Sequence, residues 1–544
     1  MNRKGEATGQ PRSPWPILLV TVLGFFMIML DTTIVYVATP SILSDLHASL
    51  DSILWVFNGY LLTYAVLLIT AGRLGDLFGP RQMFALGLAI FTVASALCGF
   101  SQDVTQLIAA RVLQGVGGAL LAPQTLSILM AIFPPERRGA AFGINGAVIG
   151  VSTVAGPVVG GLVVTNWHWS WIFFLNVPIG ILALIGTFLI IPDVRQGARP
   201  RLDIGGVLLA SLALLAIVYG LIEGQRYDWG TITGWLTIPM VIGTGVVLLL
   251  AFLAWERFQA QPLLPLGLFR NRNFSVGNVI ASAVALAMQG IFIPITIYTQ
   301  SVLGMTPLVS GLTFAPLSVA SGVVAPFAGR LADRFGSKYL LMGGLVLFGA
   351  GALIATAVAT TTATLWTFFL PLSLAGIGMG LIFAPMMTMA MRDIQPRMAG
   401  ASSGVLNTTR QMGSAIGAAA VGAVLQNRLA VAFHDQALSA SSQLPPAYRG
   451  QFLESFSKAA KTGFEVGRGQ SGAVLPKGLP AQLADKLLQL SHDVFVNGYI
   501  NAMRPTVGLA VVVLLIAAAS CFLIVQRRRI GSSVEREAAE AVVA

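Results

Sequence analysis

Apolar runs of about twenty residues recur along this chain from Ile17 to Val525, and they limit its fold more than any other feature. Inside hydrocarbon no water satisfies backbone N–H and C=O groups, so a spanning segment must be a helix or part of a closed barrel. Twenty residues of helix match a ~30 Å apolar core, whereas a barrel strand needs only about ten. Fourteen such windows can be placed: Ile17–Ala38, Ser52–Ala71, Met83–Phe100, Gln106–Ile128, Ala140–Val164, Trp171–Ile191, Ile204–Ile222, Gly234–Trp255, Phe274–Ile297, Pro307–Ala328, Tyr339–Ala359, Leu365–Met389, Ala399–Leu425 and Thr506–Val525. Of 544 residues, 55% are hydrophobic and 10% charged, against ~25% charged in soluble domains. The expected class is an all-α polytopic membrane protein.

The net charge of +11 would suit a nucleic-acid ligand if it were clustered, but it is distributed by topology. With the spans alternating, one side collects Arg3, Lys4, Arg12, Arg73, Arg81, Arg137 and Arg138, then Arg195, Arg199, Arg201, Arg257, Arg270 and Arg272. It continues with Arg330, Arg334, Lys338, Arg392, Arg397 and the tail arginines from Arg527 to Arg536. The short loops of the other side hold only Arg226. Basic loops stay in the cytoplasm, so both termini are expected there, with no nucleic-acid partner. The first span lacks a small-residue cleavage site and is expected to stay in place. His47, His168, His434 and His492 are scattered over outer connections, Cys98 and Cys521 lie in apolar runs, and no Gly-Lys-Ser/Thr loop occurs. Metal, disulfide and direct ATP chemistry are therefore not expected, and neither is a cofactor.

One decapeptide occurs twice. Gly72-Arg73-Leu74-Gly75-Asp76-Leu77-Phe78-Gly79-Pro80-Arg81 returns 257 positions on as Gly329-Arg330-Leu331-Ala332-Asp333-Arg334-Phe335-Gly336-Ser337-Lys338. Both copies join a second span to a third. The first six spans are too short to fill that offset, and two further spans make up the difference. The expected organisation is a cytoplasmic N-terminus (1–16), a six-helix bundle (17–191), an inserted two-helix hairpin with its linkers (192–272), a second six-helix bundle (273–526) with a long outer loop at 426–504, and a cytoplasmic tail (527–544). Parallel halves of this kind are a transporter arrangement, with the binding site near the midplane.

Asp31 interrupts the first span. A carboxylate at such a depth costs ~2.5–3.5 kcal/mol on insertion scales and persists where it is paired, faces a cavity or functions. Its depth, ~21 Å above Ile17 by helical rise, matches that of Arg111 on the descending fourth span. For Arg111, structural pairing and proton relay are equally open. The cavity candidates are Asn58, Gln114, Asn407, Arg410 and Gln411. Gln114 shares a helical face with Arg111, and Asn407 shares one with Arg410 and Gln411. In the repeated loop, glycines are expected to turn the chain while Asp76 and Asp333, with Arg73, Arg81 and Arg330, bond a neighbouring helix end as a latch. Gly143, Gly146, Gly150, Thr153, Pro157 and Gly161 fall on one ~80° face of span five, where another helix can approach closely. Glu223 is expected to be structural, at the outer end of its span. Trp167, Trp169 and Trp171 suit an interfacial belt. The methionines from Met379 to Met391 are expected to pack rather than bind. The segment from Gln426 to Arg504 is either a set of surface helices or a flexible tether.

Taken in order, these stretches resemble the major facilitator superfamily and its fourteen-span drug:proton antiporter branch. The resemblance is carried by Leu30-Asp31-Thr32-Thr33-Ile34-Val35, Gly72 to Arg81, and Arg111-Val112-Leu113-Gln114-Gly115-Val116-Gly117-Gly118. It continues in Gly150 to Gly161 and Trp169-Ser170-Trp171-Ile172-Phe173-Phe174-Leu175-Asn176-Val177-Pro178. It implies the major facilitator fold and proton-coupled efflux of drugs or antibiotics across the plasma membrane by alternating access. In that family the first and fourth spans line the central cavity, so the resemblance implies that Asp31 and Arg111, at equal depth, lie within pairing or one-water reach in at least one state and couple protons, and that the helix-five motif Gly146, Gly150, Gly156, Pro157 and Gly161 seals the halves. The partners implied are a small-molecule substrate, protons and the lipid bilayer, with function as a monomer. A lipid or siderophore exporter is the alternative on the same fold. An embedded enzyme lacks a catalytic cluster, and a channel lacks pore charges.

Overall fold

The computed structural model describes residues 13–48, 50–134, 137–193, 202–224, 226–395, 398–462 and 481–525. The terminal segments with Arg3, Lys4, Arg12 and Arg527 to Arg536 lie outside the described residues, as do Arg195, Arg199, Arg201, Arg397 and residues 463–480 of the outer loop.

The chain is helical almost throughout. A first set comprises α1 (Trp15–Asp45), α2 (Leu50–Phe78), α3 (Pro80–Phe100), α4 (Val104–Ile132), α5 (Arg138–Asn166) and a broken sixth unit, α6 (Trp171–Phe174) and α7 (Asn176–Ile190). Next come α8 (Ile204–Glu223), a two-stranded turn of β1 (Thr231–Thr233) and β2 (Leu236–Thr237), and α9 (Ile238–Glu256). A second set follows: α10 (Arg272–Ile297), α11 (Pro307–Thr313), α12 (Ala315–Phe335), α13 (Lys338–Ala357), α14 (Phe369–Met391), α15 (Ala399–Ser441), α16 (Pro446–Thr462) and α17 (Ala481–Ser520). Side-chain caps mark several starts. Asp103 accepts from the Gln106 N–H at 2.9 Å, Asp203 from Gly206 at 2.9 Å and Asn271 from Phe274 at 3.1 Å, each satisfying a donor that a helix start leaves orphaned. Among the described residues, thirteen helices are long and apolar enough to cross a membrane.

Packing repeats with the sequence. α3 lies on α4 as α13 lies on α14; α2 on α4 as α12 on α14; and α1 on α5 and α7 as α10 lies on α15 and α17. The two sets meet through the corresponding pairs α2 with α15 and α5 with α12. α8 packs on α9 and touches α2 and α15.

The repeated decapeptide uses its glycines differently from the expected turn. α2 continues through Gly72 and Gly75, and the chain turns only at Gly79, with φ 97°, and in the second copy at Gly336, with φ 90°. These angles favour glycine. Gly72 and Gly329 serve close approach instead. A methyl group on Gly72 would stand 2.4 Å from the Gly400 carbonyl oxygen, and one on Gly329 would stand 1.9 Å from that of Gly139. Backbone therefore meets backbone where the sets cross.

Two further features depart from the expected pattern. α15 does not stop at Leu425 but runs 43 residues, and α17 runs 40, about 65 and 60 Å at helical rise. Their protruding ends and α16 enclose an apolar core around Phe433, Phe452, Phe456 and Phe495, so this part of the outer segment is a packed extension of two spans. Of the three tryptophans, Trp167 and Trp171 are exposed, whereas Trp169 is buried. The methionines Met379, Met386, Met387, Met389 and Met391 are all buried.

Gly329→Ala should lower the melting temperature of the detergent-solubilised protein by several degrees in scanning fluorimetry. Gly343→Ala, with no atom within 4 Å of the added carbon, should leave it unchanged.

Candidate functional site

The polar centre of the first set is built on Asp31, in the middle of α1. Its side chain has no exposed surface, and Arg111 of α4 is 1% exposed. Arg111 Nη1 donates to Asp31 Oδ2 at 2.5 Å, while Gln114 Nε2 and Asn176 Nδ2 donate to Oδ1 at 2.9 and 3.1 Å. The arginine is held in turn. Its Nη1 also donates to Gln114 Oε1 at 2.7 Å, its Nε donates to the Val56 carbonyl at 3.1 Å, and its guanidinium lies 4.3 Å from the Tyr60 ring centroid. Asn176 also donates to Ser95 Oγ at 3.1 Å, and Ser95 donates to the Phe173 carbonyl at 2.9 Å. Helical spacing explains the cluster: Arg111 and Gln114, three residues apart, share the face of α4 turned to α1. A buried charge survives when it is paired and its remaining donors or acceptors are met, which this network achieves.

Asn176 is the member that the sequence reading quoted within a motif without giving it a role. The available signal was an amide at the first residue of an apolar helix, where only a partner justifies its burial. Gln114, assigned by sequence to the cavity, lies in this network instead.

The cavity lies elsewhere, on the seam between the sets. Phe25 of α1, Phe142 of α5, and Phe383 and Met387 of α14 give it apolar walls. Thr125, Asn145, Asn407 and Arg410 are its polar side chains. Its ≈ 10 Å³ of open space holds about one water, so the cavity is closed here. Asn407 and Arg410 line this space, whereas Asn58 and Gln411 are half-buried and do not. Asn407 donates to the Ser403 carbonyl of its own helix at 2.9 Å.

Below the cavity each set grips the other by one carboxylate. Asp76 accepts from the Gly400 and Ala401 N–H groups, both at 2.9 Å. Asp333 accepts from Gly139 and Ala140 at 3.0 and 3.3 Å. Both acceptors therefore sit on the first turn of a helix of the opposite set, where free N–H groups and the positive end of the helix dipole favour an anion. Arg73 is buried within electrostatic reach of Asp76. Arg81 instead donates to the Phe188 carbonyl at 2.7 Å, and Arg330 is exposed.

On α5, Gly143, Gly146, Gly150 and Gly161 face the second set, against Ala325, Phe383, Ser318 and Leu308. Gly156 faces the other way, 2.0 Å from Thr33 Oγ1 of α1 when a methyl is added. The helix-five motif thus lies on two faces. Glu223 is buried and accepts from Arg226 at 3.2 Å.

Matched helix sets that close a cavity along their common seam are the architecture of membrane transporters, and this chain is a multi-pass membrane transporter. It belongs to the major facilitator superfamily, whose family model matches residues 21–418. It is 41% identical over 430 residues to an uncharacterised MFS-type transporter of Mycobacterium tuberculosis, covering 79% of this chain and 73% of that one. It is 36% identical over 501 residues to the tetracenomycin C resistance and export protein of Streptomyces glaucescens, covering 90% and 89%. The crystal structure of the human organic anion transporter MFSD10 (TETRAN) superimposes with a TM-score of 0.60 over 94% of this chain and all of that one. At 11% identity this last likeness is one of fold alone.

Removing one partner of the buried pair leaves the other charge uncompensated, at ~3–5 kcal/mol. Arg111→Gln should therefore lower stability by about that amount in denaturant titrations. The double variant Asp31→Asn with Arg111→Gln should recover more than half of the loss, and strict additivity of the two single effects would contradict the coupling.

Proposed function

We propose that this chain exports small amphipathic compounds, drugs or antibiotics among them, across the plasma membrane in exchange for protons by alternating access. The observation that carries the reading is the Asp31–Arg111 pair. It is the one ion pair enclosed at membrane depth among the described residues, in a chain whose relatives include the tetracenomycin C resistance and export protein. Asp31 has no exposed surface in this arrangement, so proton exchange requires the pair to part. Rocking of one helix set against the other supplies that motion, and Asp31 then takes or releases a proton while the cavity opens to one side.

The latch carboxylates set which side is closed. Positive-inside topology puts Asp76 and Asp333 at the cytoplasmic face, with both termini on the same side. Their bonds to the first turns of α15 and α5 hold the inward-closed state. Each is a charge-assisted contact worth ~1.5–3 kcal/mol, strong enough to favour one state and weak enough to break in each cycle. In this reading the sets are two six-helix bundles, α5 is the fourteenth spanning helix, and α8 with α9 is a hairpin outside the transport path. Gly146, Gly150 and Gly161 let α5 seal against the second bundle, Gly156 sets its approach to α1, and the chain works as a monomer without enzymatic activity.

In proteoliposomes with an imposed pH gradient, Asp31→Asn should reduce substrate uptake to the level of protein-free vesicles. Pumping against a gradient by that variant would exclude the proton role. Asp76→Asn and Asp333→Asn should each lower uptake several-fold while the protein still elutes as one symmetric peak. Full activity in both would reduce these loops to topology markers.

A further inference from the structure

The export reading leaves the chemical class of the cargo open, and the charge on the cavity wall bears on it. Arg410 of α15 is the sole ionisable side chain among the described residues that line the cavity. Among the described residues no carboxylate forms an ion pair with it. The phenol of Tyr64 lies within its electrostatic reach. A guanidinium keeps its proton in any such setting, so it remains a cation in a wall whose other polar side chains, Thr125, Asn145 and Asn407, are neutral. Asp31, the acid that would draw an organic cation, is turned into its own network and reserved there by three donors.

A second, independent group points the same way. Asn145 of α5 is 7% exposed, lines the cavity, and its Oδ1 has no hydrogen-bond partner. A buried polar atom left unmet costs free energy that a ligand hydrogen bond restores. The wall thus offers one cation, one amide awaiting a partner and three aromatic rings, Phe25, Phe142 and Phe383.

Resting on the export reading, we infer that the preferred cargo is an aromatic amphiphile carrying an ionised acidic group, with the acid on Arg410, a hydroxyl or N–H on Asn145 and the ring system among the phenylalanines. An anion on this half-buried guanidinium gains charge-assisted hydrogen bonds, while an organic cation in the same place meets like charge. The cavity is water-sized in the closed state, so the cargo occupies the same wall after the sets part.

Fluorescein and rhodamine 123 share a tricyclic frame and differ in the sign of charge, which makes them a matched pair of probes. Binding is measured on the purified full chain in phosphatidylcholine nanodiscs against empty discs. Uptake is measured in proteoliposomes that are acidic inside, with the membrane potential clamped to zero and dye read after lysis at one pH. Fluorescein should bind at least tenfold more tightly than rhodamine 123. Arg410→Gln should remove that preference and Arg410→Lys should keep part of it. Equal or tighter binding of rhodamine 123, or a fluorescein preference that survives Arg410→Gln, would overturn the assignment. Displacement of fluorescein by phosphatidylglycerol added to the discs would reassign the site to lipid anions and overturn the aromatic one. A preserved preference with no uptake of either dye against the gradient would leave the cavity assignment standing and refute the exporter reading.

Discussion

The structure of the first helix set depends on keeping one ion pair dry. Asp31 and Arg111 each forfeit hydration that is worth several kcal/mol per ion even after relaxation, and the surroundings are arranged to replace it. Gln114 both donates to the carboxylate and accepts from the guanidinium, Asn176 fills the remaining place on Oδ1, and the Val56 carbonyl and the Tyr60 ring take the rest of the arginine. Four helices are fixed relative to one another by this set of bonds. α1 and α4 carry the charges, α2 supplies the carbonyl and ring, and α7 reaches in through its first residue.

What holds the two sets to each other is of a different kind. At the crossings of α2 with α15 and α5 with α12 there are no side chains between the backbones, because Gly72, Gly400, Gly139 and Gly329 have none. The carboxylates of Asp76 and Asp333 then reach free N–H groups of the opposite helix directly. Close approach and latch are one device, repeated 257 positions apart. The hairpin of α8 and α9 breaks the symmetry, standing against α2 and α15. It has its own anchors, Trp255 Nε1 to Asp203 and the Leu264 N–H to Glu256. Glu256 and Asp76 share Arg73 as an electrostatic neighbour, so the inserted pair is coupled to the Asp76 contact.

Much of this could be read in the chain, and the exceptions have physical causes. Hydropathy marks helices because hydrocarbon leaves no other solution for the backbone, and the decapeptide repeat points to paired sets because both copies sit at the same junction. The meeting of Asp31 with Arg111 followed from their equal depth together with the resemblance, which puts both spans on the central cavity. Partners that are backbone groups stayed hidden: nothing in Gly400 or Ala401 announces that its N–H awaits a carboxylate 324 residues earlier. The true role of Gly72 was obscured for a related reason, since a glycine that admits a neighbouring helix and one that turns the chain look alike until φ is known. The ends of α15 and α17 were set too early because hydropathy falls where the helices leave the apolar layer, whereas their hydrogen bonding continues.

That continuity has a mechanical meaning. α15 is a single rod, gripped by Asp76 at Gly400, carrying Arg410 beside the cavity and ending in the phenylalanine core around Phe433. From Arg410 to Ser441 it extends ~46 Å, so a tilt of ~10° about the cavity would carry its far end sideways by ~8 Å. The protruding end acts as a tiller. In the proposed alternating-access cycle, whatever settles on it outside the membrane, lipid headgroup, cell-wall polymer or antibody, would gain purchase on the stroke without touching the cargo.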